Sequence, residues 1–165
     1  MIHFREVQYI RHVWWVMLLV LGVAALMWWG FVQQILLGAP WGKNPSPDWL
    51  MWILWLIIGI GFPLAFYWMR LIVEVLDDKV TIRYVPLVRN EFLLDEIEGV
   101  EARTYQPIRE YGGWGIRGLS SKRAYNVSGD KGVELTLADG RKVMIGSQKA
   151  EELALAILNA QEIRF

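Results

Sequence analysis

Two uncharged apolar stretches, Val13 to Leu37 and Trp49 to Met69, dominate the first half of the chain, and the pattern then changes abruptly to short-period alternation. At about 1.5 Å rise per residue, runs of roughly 25 and 21 residues make helices of about 38 and 32 Å, long enough to cross a hydrocarbon core of about 30 Å. The roughly 95 residues that follow are too few to wrap two such helices on all sides, so a membrane hairpin is predicted rather than a pair of core helices. The linker Gly38 to Asp48 contains Gly38, Pro40, Gly42, Asn44, Pro45, Ser46 and Pro47 and reads as a tight turn, with Asp48 as N-cap of the second helix. Gly22, Ala25, Gly59 and Gly61 are small enough to let the two backbones approach, and Pro63 is expected to kink the second helix.

From Arg70 onward the period is two. Val73, Val75, Val80, Ile82 and Tyr84 share one face of a predicted β-hairpin turning at Asp77-Asp78. Further strands are predicted near Arg89 to Leu93 and Val100 to Tyr105, separated by the acidic turn Asp95 to Glu98. A second hairpin alternates through Val133, Leu135 and Leu137, turns at Asp139-Gly140, and returns through Val143 and Ile145. The chain then reads as an amphipathic helix with Ser147 as N-cap, Glu151 and Glu152 in the positive first turn, and a stripe of Ala150, Leu153, Ala154, Ile157 and Leu158. The expected fold is a two-helix transmembrane hairpin plus a mainly-β domain of six or seven antiparallel strands, a small barrel or sandwich capped by a C-terminal helix. That order of elements is the order in a pleckstrin-homology-like (PH-like) domain. The boundaries are a flank over 1–12, the hairpin over 13–69 (helices 13–37 and 49–69), and the β domain over 70–165.

Composition refines the hairpin. Nine of the ten tryptophans fall between Trp14 and Trp68, and indole collects at headgroup level because it has an apolar body and one N–H that needs a partner. Trp14, Trp15 and Trp68 mark one interface, and Trp28, Trp29, Trp41 and Trp49 lie towards the other. Trp52 and Trp55, one turn apart, either extend a belt or pack on the first helix. Arg5, Arg11, Arg70, Lys79 and Arg83 flank the outer ends of the spans against Lys43 alone in the linker, so both termini are expected in the cytoplasm. The first span is too long for a cleaved signal core and reads as an anchor. Gln33 and Gln34 are the only amide side chains in the spans, and no ionisable group lies there, which argues against a transport path.

The remaining chemistry is sparse. With no cysteine there is no thiol nucleophile or zinc-thiolate site, and both histidines, His3 and His12, lie in the N-terminal flank without metal-ligand spacing. No Ser-His-Asp set or carboxylate-rich metal motif occurs, so no enzyme, catalytic residue, metal or cofactor is expected. Overall charge is zero, which disfavours nucleic acid, but it is distributed unevenly. From Glu91 to Glu101 five acids stand without a base. From Arg103 to Lys131 six bases oppose Glu110 and Asp130. This basic stretch either meets anionic headgroups, at about 1 kcal/mol per nearby cation, or is a solvated, locally paired surface.

Tyr111-Gly112-Gly113-Trp114-Gly115-Ile116-Arg117, Ala124-Tyr125-Asn126-Val127-Ser128-Gly129, Gly132-Val133-Glu134-Leu135 and Ile145-Gly146-Ser147-Gln148 resemble the signatures of an uncharacterised family of small bacterial proteins with two N-terminal spans and a bacterial PH-like domain. The resemblance covers most of Arg70 to Ala160. It implies that fold and brings no activity with it. Gly113 to Gly118 also spells G-x-G-x-x-G, but a dinucleotide site needs a following helix, and none can be drawn after Leu119. The glycines are instead expected to turn the backbone tightly around Trp114, either a core plug or an exposed anchor. Asn126-Val127-Ser128 matches the glycosylation pattern, without use on a cytoplasmic domain.

These readings converge on a non-enzymatic, membrane-anchored binding or scaffold protein at the cytoplasmic face of a bacterial inner membrane. The alternative is an accessory or assembly subunit of a larger membrane complex, docked through tryptophan-rich helices. Tyr111, Trp114, Arg117, Lys122 and Arg123 are the candidate lipid- or partner-binding residues, and Trp14, Trp15, Trp28, Trp29, Trp49 and Trp68 the candidate interface or packing residues. The expected partners are membrane lipids and a membrane protein or further copies of the chain.

Overall fold

A computed structural model describes residues 1–119 and 121–163, Leu119 through its backbone alone; residues 164 and 165 of the expected β domain lie outside the described residues. The chain divides into two units. Ile10–Met69 is one, and Met1–Tyr9 joins the residues from Arg70 onward as the other. The helical unit is therefore inserted into the β unit, and Met1–Tyr9, expected as a flank, is structural.

In the helical unit, α1 (Trp14–Phe31) continues through π-helical Val32–Leu36. The return leg runs through α2 (Asp48–Leu54), π-helical Trp55–Gly61 and α3 (Phe62–Trp68). These form two helices of 23 and 21 residues, long and apolar enough to cross a membrane, with most of their length uncovered by protein. The two legs meet through aromatic rings. Trp55 stacks on Phe31 with centroids 4.5 Å apart and meets Trp28 edge-on at 5.0 Å, while Trp52 meets Phe31 edge-on at 4.7 Å. The open choice for Trp52 and Trp55 is thus decided for packing on the first helix. Of the small residues, Gly59 lets Trp28 Nε1 donate to its carbonyl at 3.2 Å, whereas a Cβ on Gly22 would meet nothing within 4 Å. Gly30, unremarked in the sequence, lies against the Trp41 ring, 2.6 Å from where a Cβ would stand.

One expectation changes here. Asp48 does not cap α2; Pro47 precedes the helix, and Asp48 Oδ1 accepts from the Gln34 amide at 2.9 Å, which also donates to Ser46 O at 2.6 Å. A buried amide needs acceptors, and the Asp48 carboxylate supplies one. Pro63, expected to kink the second helix, falls within its continuous length, directly after seven residues of wider π-type bonding.

In the β unit, the described residues form nine strands in two sheets. One has the order β1 (Ile2–Tyr9), β2 (Arg70–Leu76), β3 (Lys79–Val85), β4 (Val88–Leu93), all antiparallel. The other has the order β5 (Ile97–Thr104), β8 (Lys131–Leu137), β9 (Lys142–Gly146), β7 (Lys122–Asn126), β6 (Gly115–Leu119), with only the β7–β9 pair parallel. The sheets do not close into a barrel. The count exceeds six or seven because β1 comes from the flank and β6 and β7 from the glycine-containing stretch.

The first hairpin has the expected face: Leu71 opposes Tyr84, Val73 opposes Ile82, Val75 opposes Val80, and all six are buried. Such directly opposed apolar pairs are the unit of sheet stabilisation. Helix α5 (Ala150–Glu162) buries Leu153, Ala154, Ile157 and Ala160 and packs on β5 and β8 of one sheet and β1 and β2 of the other. Gln161 Nε2 donates to the carbonyls of Leu94 and Ile97, and Gln8 Nε2 and Asn90 Nδ2 link the sheets by donating to Gly146 O and Tyr125 Oη. Ser147, expected as the N-cap of α5, lies further out. Its Oγ accepts from Lys149 N–H at 3.0 Å and donates to Glu6 of β1, whose other oxygen accepts Gln148 N–H at 3.0 Å. A carboxylate from the unforeseen strand thus shares in capping the helix entry.

Candidate functional site

The candidate residues surround the outer face of the five-stranded sheet. Strand alternation puts Glu134, Met144, Ala124 and Arg117 in one cross-strand row, with Thr136, Lys142 and Lys122 in the next. The short helix α4 (Pro107–Tyr111) follows β5, and Tyr105, Tyr111, Ala124 and Met144 form one buried cluster, the two phenol rings meeting edge-on at 5.9 Å. Gly146 makes room for it: a Cβ there would stand 2.5 Å from the Asn126 Cβ and 3.2 Å from the Tyr105 hydroxyl. Asn126 is fully buried, donates Nδ2 to Tyr105 Oη at 2.7 Å and accepts Gly115 N–H at 2.8 Å. Burial alone removes it as a glycosylation acceptor.

Around this cluster runs an ion network. Glu134, 6% exposed, accepts from Arg103 at 2.6 Å and Lys142 at 2.8 Å. Burial pushes its carboxyl up, but the Lys142 and Arg103 hydrogen bonds outweigh burial and hold it below the usual range. Glu110 accepts from Arg103 at 2.9 Å and from Gln106 N–H at 2.8 Å, and Lys122 stands 3.8 Å away. The Arg103 hydrogen bonds, followed by the Gln106 amide, lower Glu110 to about 2. Hydrogen bonding to Glu110 is the largest influence raising the Arg103 guanidinium. The Lys122 ammonium also lies 4.9 Å from the centroid of the Tyr111 ring, and burial raises that phenol to about 12. The network clamps α4 onto the sheet.

The structure therefore separates the five candidates. Tyr111, the last residue of α4, is buried, and Lys122 is committed to Tyr111 and Glu110. Arg123 opposes Val143 and so belongs to the opposite face from Lys122 and Arg117, at its exposed margin. Trp114 is half-buried, neither plug nor free anchor: its Nε1 donates to Gly129 O at 2.9 Å, and its carbonyl accepts Arg117 Nε at 3.0 Å. Positive φ at Gly112, Gly113, Gly115 and Gly118 makes this path possible, and a Cβ at Gly118 would stand 2.1 Å from Lys122 O. The G-x-G-x-x-G stretch enters a strand paired with β7, not a helix. Exposed Ile108, Arg109 and Arg117 with half-buried Trp114 are the basic and apolar surface that remains.

Sequence reasoning missed Arg103, Glu134, Asn126 and Tyr105. Glu134 gave no signal, because with Thr136 it fills the polar positions of an ordinarily alternating strand. A shallow cavity of about 400 Å³ lies elsewhere, lined by Arg103, Lys131 and Lys149 against Glu151 and Glu152, with no single charge sign converging on it. Among the described residues no group of three His, Asp or Glu side chains could hold a metal ion.

On the helical unit, Trp14, Trp29, Trp49 and Trp68 are strongly exposed and Trp15 and Trp28 less so. Trp14 and Trp15 begin α1 and Trp68 ends α3, and Ile10 N–H donating to Met69 O brings those ends together. Trp49 stands at the start of α2, whereas Trp28 packs against Trp55 and Gly59 within the length of the return leg.

No curated protein and no solved structure matches this chain. A family model described as a family of unknown function, DUF6141, matches residues 1–163, and the chain belongs to that family.

Proposed function

We propose that this is a non-enzymatic, membrane-anchored binding or scaffold protein, with a PH-like β domain held by its hairpin at the cytoplasmic face of a bacterial inner membrane. The observation that carries the reading is the pairing of β1 with β2 on either side of the hairpin. Strands that share a ladder lie on one side of any bilayer, so the hairpin crosses it an even number of times. Arg5, Arg11 and Arg70 beside the outer ends favour the cytoplasm. Two antiparallel-dominated sheets followed by a terminal helix on both support the PH-like assignment. Anchoring confines weak contacts to a surface and raises their effective concentration. The surface offered is Ile108, Arg109, Trp114 and Arg117.

The test is co-sedimentation of the full chain in nanodiscs with anionic vesicles, and recovery of partners from native membranes. Arg109→Glu with Arg117→Glu should weaken one or the other. If this double variant behaves as the parent in both measurements, this surface is not the binding surface.

A second reading, an accessory subunit of a membrane complex, is favoured by the exposed Trp14, Trp29, Trp49 and Trp68. Gentle detergent extraction followed by mass spectrometry should then recover a stoichiometric partner. A particle of this chain alone would remove that reading.

A further inference from the structure

The four-stranded sheet has two unlike ends. At one end β2 and β3 turn through Asp77-Asp78, both exposed. At the other end Tyr9 opposes Arg70, Arg70 opposes Val85, and Tyr84 opposes Val88. The turn joining β3 to β4 is thus at the Arg70 end, and it reads Val85-Pro86-Leu87-Val88, four apolar residues in succession. It is closed by Leu87 N–H donating to Tyr84 O at 2.7 Å, and Leu87 is 60% exposed. Turn tips are ordinarily built of Gly, Asn, Asp and Ser, as the Asp77-Asp78 and Asp139-Gly140 turns of this unit are. The exposed Leu87 side chain takes no part in that closing hydrogen bond.

Its position follows from chain length. Arg70 is two residues after Trp68, the last residue of the second apolar helix, and two residues extend at most about 7 Å. Val85 is the register partner of Arg70, about 5 Å away, and Leu87 is two residues further. Leu87 is therefore within about 20 Å of the end of the span even with every link fully extended. The Asp77-Asp78 turn is at the opposite end of β2 from Arg70, about 20 Å along the strand. Bases flank the apolar tip: Arg70, whose guanidinium lies 5.9 Å from the Tyr9 ring centroid, and exposed Arg89, which is paired with Glu91 at 2.6 Å. Apolar tip, basic collar and polar, ion-paired far end, where the Met1 ammonium and His3 meet Asp77, form the polarity profile of a body seated on an anionic lipid surface.

We propose that the β3–β4 turn is a lipid-contacting finger, with Leu87 entering the bilayer interface and Arg70 and Arg89 at headgroup level. This rests on the hairpin spanning the membrane. It adds a third point of attachment to the two chain crossings.

The chain has no cysteine, so a single substitution gives a unique labelling site. Full-length Leu87→Cys, Asp78→Cys and Leu21→Cys, each carrying an environment-sensitive fluorophore, are reconstituted in nanodiscs of phosphatidylcholine and phosphatidylglycerol, with and without spin-labelled lipid. Leu21 lies exposed in the middle of the first span and reports the membrane reading itself. The expected result is lipid quenching at 21 and 87, with 87 quenched several-fold more than 78 and 78 open to aqueous iodide. Quenching at 21 with positions 87 and 78 alike overturns the finger and leaves the spanning hairpin intact. Absence of quenching at 21 overturns both.

Discussion

Tyr9 and Arg70 are register partners on adjacent antiparallel strands, although the whole helical unit lies between them in the chain. The hairpin is therefore an insertion within a β sheet, and the sheet cannot be completed from residues after Arg70 alone. Any membrane the hairpin crosses must leave both flanks on one side.

That constraint is directly testable in intact cells. With single cysteines replacing Arg5, Lys43 or Glu151, a membrane-impermeant maleimide should label only the Lys43 position in the linker. Arg5 and Glu151 should become reactive together once the cells are opened. Labelling of Arg5 without Glu151 in intact cells would contradict the β1–β2 pairing.

Glu6 ties the first strand to the start of the last helix through Ser147 Oγ and Gln148 N–H. Glu6→Ala leaves both donors without this acceptor and should cost about 1–2 kcal/mol. Chemical denaturation followed in the β unit measures it. A change within about 0.5 kcal/mol, the usual range for a plain surface substitution, would show the contact to be incidental.

Gly112 and Gly118 both have positive φ but differ in space. Around Gly112 (φ +77°) a Cβ would meet nothing within 4 Å, whereas at Gly118 (φ +92°) it would stand 2.1 Å from a backbone carbonyl. Gly112→Ala should cost about 1–2 kcal/mol from the left-handed backbone alone. Gly118→Ala should cost clearly more, because β6 and β7 must separate. Equal melting temperatures for the two variants would refute this.

The acid limb of stability should report on Glu110. Its folded pKa of about 2 lies below an unfolded value of about 4.3. Depression of this sign contributes stability fully above about pH 5 and loses it as pH falls through the folded value. Denaturation midpoints measured from pH 6 down to about 2.5 should decline, and Glu110→Gln should flatten the decline while lowering the neutral-pH midpoint. Glu134, lowered by Lys142 and Arg103 against its burial, should contribute in the same direction.

What the sequence discloses depends on how far away each partner is. The face of Val73, Val75, Val80, Ile82 and Tyr84 is legible because both strands of that hairpin are local and period two is unbroken. The two apolar helices and α5 are legible for the same reason at a longer period. Strand β1 is not, because its partner follows the whole hairpin and Ile2 to Tyr9 mixes charge with apolar residues on both faces. Strand β6 is hidden by glycines chosen for φ rather than for β propensity. Among the candidate residues, Arg117 and Trp114 stay at the surface margin. Tyr111 and Lys122 are drawn into a cluster assembled from β5, α4, β7, β8 and β9, which no local pattern announces. Arg123 is separated from its neighbour simply because adjacent strand residues face opposite ways.

The nesting of one unit inside the other also imposes an order in time. At about 5–20 residues per second of synthesis, β1 exists for several seconds before β2 has been made, and through that interval it has no ladder to join. The β unit must wait for the helical unit and β2 to be made before its first sheet can close. A chain in which β1 fails to find β2 would carry an unpaired first strand and leave an open edge at β2.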